Sequence, residues 1–245
     1  MEKHNSKINI TSTKIIPEVT TIKMGFVDSY IIKGKADEKG ENSWILVDCG
    51  ISGSEGKILE TLKSLDGKPA KVSLIILTHA HQDHCGAVKE LQAATGAKVA
   101  IQKEDAQYLV EGISAKVTPV TGFARFMARL IKYRPQSGMG GMSPDIIIDN
   151  ELDLNEFGVN GKVLPTPGHT KGSASVFLDS GNCIIGDILG KSFGRVTPAM
   201  FCNDPEENRK SIGKIIDSNA EYLYLSHGGK CTINEAKKVF GQNQD

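Results

Sequence analysis

The chain has 245 residues, 39% of them hydrophobic, with 29 basic and 29 acidic side chains. That is enough apolar material for a sizeable core, expected as a single domain over residues 1–245. The balanced charge, with no basic block, argues against nucleic acid as a partner. The absence of a signal-like core or an apolar run of about 18 residues predicts a cytoplasmic protein without a membrane segment.

Ile8 to Ile16 and Ile22 to Lys33 are rich in Ile, Val and Thr and read as strands, followed by a polar turn from Gly34 to Asn42. Trp44 to Val47 is a short apolar strand ending in Asp48-Cys49-Gly50. From Ser54 to Leu65 the apolar positions Ile58, Leu62 and Leu65 keep helical spacing. Val72 to Leu77 is an aliphatic run that reads as a buried strand. A helix is expected over Cys85 to Ala94, a strand over Lys98 to Gln102 and a short helix over Lys103 to Val110.

Gly112 to Pro144 differs in character. Its amphipathic stretch Val120 to Tyr133 carries Phe123, Phe126, Met127, Leu130 and Ile131, and a Gly/Met loop runs from Pro135 to Met142. Two readings stand side by side: a core helix with a surface loop, or a lid over 112–144. The second half repeats the strand-rich start at Asp145 to Ile148, Lys162 to Pro165, Ala174 to Leu178 and Cys183 to Ile185. A helix over Pro205 to Ser218, a strand over Glu221 to Leu225 and a helix over Ile233 to Phe240 close the chain. Strands followed by helices in each half suit two sheets face to face with helices outside, although periodicity alone gives only mixed α and β.

The chemistry concentrates directly after the Val72 to Leu77 run. His79-Ala80-His81-Gln82-Asp83-His84 places four metal-capable side chains within six residues and holds half of the six histidines. His79 and His81, two apart, can project to one side of an extended chain, whereas Asp83 and His84 fall where the chain turns into a helix and can aim at a second point. Three more candidates each leave an apolar strand beside glycine: His169 in Gly168-His169-Thr170, Asp187 after Cys183 to Gly186, and His227 before Gly228-Gly229. Imidazole and carboxylate donors suit zinc, and also iron or manganese. The five scattered cysteines lack CxxC spacing and read as reduced thiols, Cys85 among them despite its place beside His84.

With these motifs in view, the chain resembles the metallo-β-lactamase-fold superfamily from about Tyr30 to Gly229. Its HxHxDH pattern matches residues 79–84, and its later His, bridging Asp and terminal His match His169, Asp187 and His227 in order. The resemblance implies a four-layer αββα sandwich of two mixed sheets, with the metals in a shallow cleft at one edge. It assigns His79, His81 and His169 to a first ion, Asp83, His84 and His227 to a second, and Asp187 as the bridge. Asp48 matches a position that supports the His loop through hydrogen bonds. The implied function is a dinuclear metal-dependent hydrolase, with two divalent ions, zinc foremost, in which a metal-bridging hydroxide cleaves a thioester, lactone, ester or β-lactam-type carbonyl of a small molecule and Asp83 accepts or shuttles the proton. Phe26 to Tyr30 and Leu164 to Ser173 look like the glyoxalase II branch, while the ligand set and length also match lactonases. An iron-dependent oxidoreductase of the persulfide dioxygenase kind and a non-catalytic metal-binding protein are the alternatives. Lys191, Phe193 and Arg195, close after Asp187, are candidate substrate contacts, since a basic group there can pair with a substrate carboxylate.

Overall fold

A computed structural model describes residues 18–130 and 139–240. The expected strand over Ile8 to Ile16 and the tip of the Gly/Met loop lie outside these residues. In chain order the first half contains β1 (Val19–Lys23), β2 (Asp28–Ala36), β3 (Asn42–Val47), α1 (Glu55–Ser64), β4 (Val72–Leu77), α2 (Gln82–Cys85), α3 (Val88–Thr95), β5 (Lys98–Gln102), α4 (Lys103–Glu111), β6 (Thr118–Pro119), α5 (Gly122–Leu130) and β7 (Ile146–Ile148). The second half contains β8 (Leu152–Asp153), β9 (Gly161–Pro165), β10 (Ala174–Leu178), β11 (Asn182–Ile184), β12 (Leu189–Ser192), β13 (Arg195–Pro198), β14 (Phe201–Cys202), α6 (Pro205–Ile216), β15 (Tyr222–Leu225), β16 (Gly229–Thr232) and α7 (Ile233–Phe240).

Two six-stranded sheets result, ordered β1-β2-β3-β4-β5-β7 and β16-β15-β11-β10-β9-β8. Both are mixed. The first is antiparallel through β1, β2 and β3 and parallel through β3, β4, β5 and β7, while in the second only β11 and β15 run parallel.

The two-residue period of a strand sorts side chains into layers. Leu74 and Ile76 of β4 face inward with Ile45, Val47, Val163, Val176 and Ile184, and this cluster fills the space between the sheets. Ile75 and Leu77 face outward and pack with Leu46, Val99, Ile58, Leu62, Val88, Leu91 and Leu109 under α1, α3 and α4. Across the molecule Phe177, Cys183, Leu223 and Leu225 pack with Ile212, Ile215 and Ala236 of α6 and α7. Three apolar layers between four structural ones make the αββα sandwich.

Two expected elements are divided in the structure. Ile22 to Lys33 is a hairpin, because Gly25 at φ 89 turns the chain between β1 and β2. The helix expected over Cys85 to Ala94 begins three residues earlier as α2 and breaks before α3. The Gly86 amide donates to Gly50 O at 2.8 Å, and a Cβ on Gly86 would stand 2.4 Å from Ser52 N. That close approach of backbones lets Asp83 and His84 sit on their own short turn.

Candidate metal centre

Every candidate donor leaves the C-terminal end of a strand at one edge of the sandwich. Residues 79–84 follow β4, His169 follows β9, Asp187 follows β11 and His227 follows β15. Donor atoms of His79, His81, His169 and Asp187 lie within 4.8 Å of one another, as do those of Asp83, His84 and His227.

The rings are aimed by their outer nitrogens. His79 Nδ1 meets Thr78 Oγ1 at 3.0 Å, His81 Nε2 meets Ala115 O at 3.0 Å and His84 Nδ1 meets Asp48 Oδ2 at 2.8 Å. His169 Nδ1 meets Phe201 O at 2.9 Å and His227 Nδ1 meets Phe26 O at 2.7 Å. Each remaining nitrogen points to the common centre, the arrangement in which an outer partner fixes ring orientation and tautomer. His81 Nδ1 stands 2.8 Å from His79 Nε2 and 3.2 Å from His169 Nε2. Donors about 2.0–2.1 Å from a tetrahedral ion stand roughly 3.3 Å apart, close to this spacing.

Asp187 lies between the two groups. Its Oδ2 is 3.5 Å from His169 Nε2 and 3.3 Å from His227 Nε2, and its Oδ1 is 3.6 Å from His84 Nε2. His84 Nε2 and Asp187 Oδ1 are buried without a hydrogen-bond partner. Buried polar atoms are rarely left so, because desolvation costs roughly 1–3 kcal/mol each. A cation between them accounts for both, so the residues fit a divalent metal.

Electrostatics divides the donors in the same way. Burial pushes His79, His81 and His169 down, His169 to about 4, and so favours the neutral ring that ligation needs. Burial also opposes charge on His227, but the Asp187 and Asp83 carboxylates outweigh it and raise the ring to about 10. Asp187, Asp48 and Asp83 likewise overcome burial and raise His84. Asp83, pushed up by burial, is brought down to about 2 by His84 and His227.

Two carboxylates outside the centre hold its loops. Asp48 accepts from Thr78 N and Thr78 Oγ1, both at 2.8 Å, as well as facing His84. Asp105, which sequence reasoning missed, is fully buried at the start of α4. Its Oδ2 accepts from Ala80 N and Thr170 Oγ1, both at 2.8 Å, and its Oδ1 accepts from Gly172 N at 2.9 Å. One carboxylate thereby ties the His79–His81 loop to the loop of His169. The sequence offered only a first-turn acid in an amphipathic helix, with nothing to set it apart from Glu104 beside it.

His81, Asp83, His169, Asp187 and His227 line a cleft of about 810 Å3, walled by Phe26, Ile51, Val117, Leu189, Met200 and Phe201 among others, with His79 and His84 buried behind it. Lys191 reaches this wall, but its Nζ lies 3.2 Å from Lys230 O and 3.4 Å from Glu235 Oε1, while its backbone amide donates to His227 O at 3.1 Å. Phe193 is fully exposed at the tip of the β12–β13 hairpin, and neither it nor Arg195 lines the cleft. Cys85 is buried with its thiol donating to His79 O at 3.2 Å, so it braces the loop. Tyr30 donates its hydroxyl to Leu225 O at 2.7 Å inside the core.

Fold and donor set define a metallohydrolase. The chain belongs to the metallo-β-lactamase superfamily, whose family description matches residues 22–227. It is 27% identical over 214 residues to "Probable metallo-hydrolase YflN" of Bacillus subtilis, covering 76% of each chain. A hydroxyacylglutathione hydrolase of Hahella chejuensis is 26% identical over 206 residues, 82% of this chain and 62% of that one. The solved structure of the superfamily protein ST1585 from Sulfolobus tokodaii superposes with a TM-score of 0.65 at 20% identity, over 93% of this chain and 86% of the other. At that identity the likeness is one of fold. No helix among the described residues is long and apolar enough to cross a membrane.

Proposed function

We propose that the chain is a dinuclear metal-dependent hydrolase of a carbonyl in a small thioester, lactone, ester or β-lactam. The observation that carries this reading is the Asp187 carboxylate between two donor groups, its Oδ1 unpartnered opposite an equally unpartnered His84 Nε2. His79, His81 and His169 would hold the first divalent ion, Asp83, His84 and His227 the second, with Asp187 shared. Zinc suits these donors best, with iron or manganese as the other candidates. Ions bound there supply a water whose pKa falls from 15.7 to roughly 7 and a Lewis acid for the carbonyl oxygen.

The chain's own contribution is orientation and proton handling. The outer-nitrogen partners lock five imidazoles before substrate arrives. Asp83, one quarter exposed at the cleft with its Oδ2 3.4 Å from His227 Nε2, can accept a proton there and pass it to the departing group. The apolar walls limit water around the carbonyl. Of segment 112–144, Ser114 and Val117 stand at the wall and Ala115 O holds His81, so this part frames the site, while residues 131–138 of the expected lid lie outside the described residues.

The test is turnover of thioesters, lactones, esters and β-lactams by the metal-loaded protein, with Asp187→Ala and His84→Ala as variants. Both should lose roughly a hundredfold or more in kcat/KM, at least the upper range seen when only a ligand's supporting partner is removed. Full metal-dependent activity in either variant would sink the reading. Oxygen consumption by an iron-loaded protein would replace it with the oxidoreductase.

A further inference from the structure

Three of the exposed large apolar side chains gather at one place. Phe26, Ile51 and Met200 are 64%, 40% and 45% exposed, and all three line the metal-centre cleft. The Phe26 ring lies nearly parallel to His227, with centroids 6.0 Å apart and planes at 4°. Val117, Leu189 and Phe201 continue the apolar surface inward. Exposed apolar groups that line one cleft, unlike ones scattered singly, mark a surface kept for a ligand.

The charges around the cleft point the same way. Lys191 is the only basic side chain among the described lining residues apart from the histidines. Its ammonium is turned away to Lys230 O and to Glu235, an ion pair at 3.4 Å. Arg195 and Lys116 are outside the lining. A substrate carboxylate remote from the metal centre would therefore be desolvated along this wall with no cation among the described lining residues to receive it, a cost that specificity can rest on.

We propose that the substrate presents an uncharged, aliphatic acyl chain to this wall, with Phe26 and Met200 as specificity-determining residues. Resting on the hydrolase reading above, this narrows the substrate to neutral acyl thioesters, esters or lactones. It disfavours substrates whose acyl or leaving group bears carboxylates, including thioesters of a carrier such as glutathione.

The experiment uses the zinc-loaded full chain and two readouts. The first is kcat/KM for neutral thioesters with acyl chains from acetyl to decanoyl, beside glutathione thioesters of the same acids. The expected result is a rise of roughly twofold to fourfold per methylene over the first few carbons, the upper figure matching full burial of a methylene. The glutathione thioesters should fall at least about tenfold below their neutral counterparts, and Met200→Ser should flatten the slope. The second readout is calorimetric binding of butyramide and octanamide, which does not depend on turnover. Octanamide should bind at least about tenfold tighter, and less so to Met200→Ser. If no acyl substrate turns over while octanamide binds in this way, the hydrolase reading fails and the apolar acyl site stands. If hydrolysis occurs without chain-length dependence, or favours the glutathione thioesters, the acyl site is overturned and the hydrolase stands. Neither turnover nor octanamide binding overturns both.

Discussion

Asp105 fills a place where a neutral side chain of equal size could not serve. Its two oxygens receive three donors, two of them backbone amides, and Asn would turn an NH2 group toward at least one. We expect Asp105→Asn to lower stability by about 1–3 kcal/mol through the donor left unpaired, read by urea unfolding. Because the tie runs between the His79–His81 and His169 loops, the same change should weaken metal binding at the first site roughly tenfold to a hundredfold, read by zinc titration. Asp48→Ala should weaken the second site through His84 by a similar factor and the first site through Thr78 and His79 as well, and unchanged binding at the second site would contradict this bracing role. Protonation carries a further prediction. In the metal-free protein His227 is raised to about 10, and His84 is raised too, above the ordinary value of roughly 6.5. The folded form then binds more protons than the unfolded one, so this stabilisation is fully present below about pH 6.5 and is lost as pH rises through about 10. The lowered rings act oppositely. His169, at about 4, withdraws stability as pH falls from about 6.5 toward 4. Metal binding at pH 7 must displace the protons of His84 and His227, so calorimetry in buffers of different protonation enthalpy should show roughly two to three protons released per chain, two from these rings and the remainder from the bound water. Release of none would contradict the charge state derived for these two rings.

At the scale of elements, the His-rich loop was the most readable part of the chain. Val72 to Leu77 is a strand over the expected residues, and the donors follow it at once. Ala174 to Leu178 and Ile233 to Phe240 also keep their expected bounds. The β12–β13 hairpin was illegible, because Leu189–Ser192 and Arg195–Pro198 are too short and too polar to show alternation. Phe193 and Arg195 consequently read as substrate contacts close after Asp187, whereas the fold sets them at and beside the hairpin tip. The tip itself makes a prediction. Phe193 and Gly194 have φ of 48 and 77, successive positive values of the kind a tight hairpin turn favours and a Phe resists. Phe193→Asn should stabilise the protein by about 1 kcal/mol, read by urea unfolding, with turnover unchanged. A loss of turnover would return Phe193 to the substrate contacts. Three of the outer-nitrogen partners stayed invisible for another reason: Ala115 O, Phe201 O and Phe26 O are backbone atoms, which the identity of a residue does not announce.

Across the whole molecule, the parts of the centre arise from both sheets. His79, His81, Asp83 and His84 ride on the first sheet, while His169, Asp187 and His227 ride on the second. Each donor group draws on both sheets, so the apolar layer between them sets the spacing of donors within each group, and loosening it should be felt at the metals before the fold is lost. Periodicity could show strands and helices but not that two sheets stack; the donor pattern made the αββα arrangement legible. The measurement that tests the account most directly is the metal content of the purified, zinc-reconstituted protein by mass spectrometry. The account predicts two ions per chain, falling in Asp187→Ala. One ion per chain unaffected by Asp187→Ala, or none after reconstitution, would contradict it.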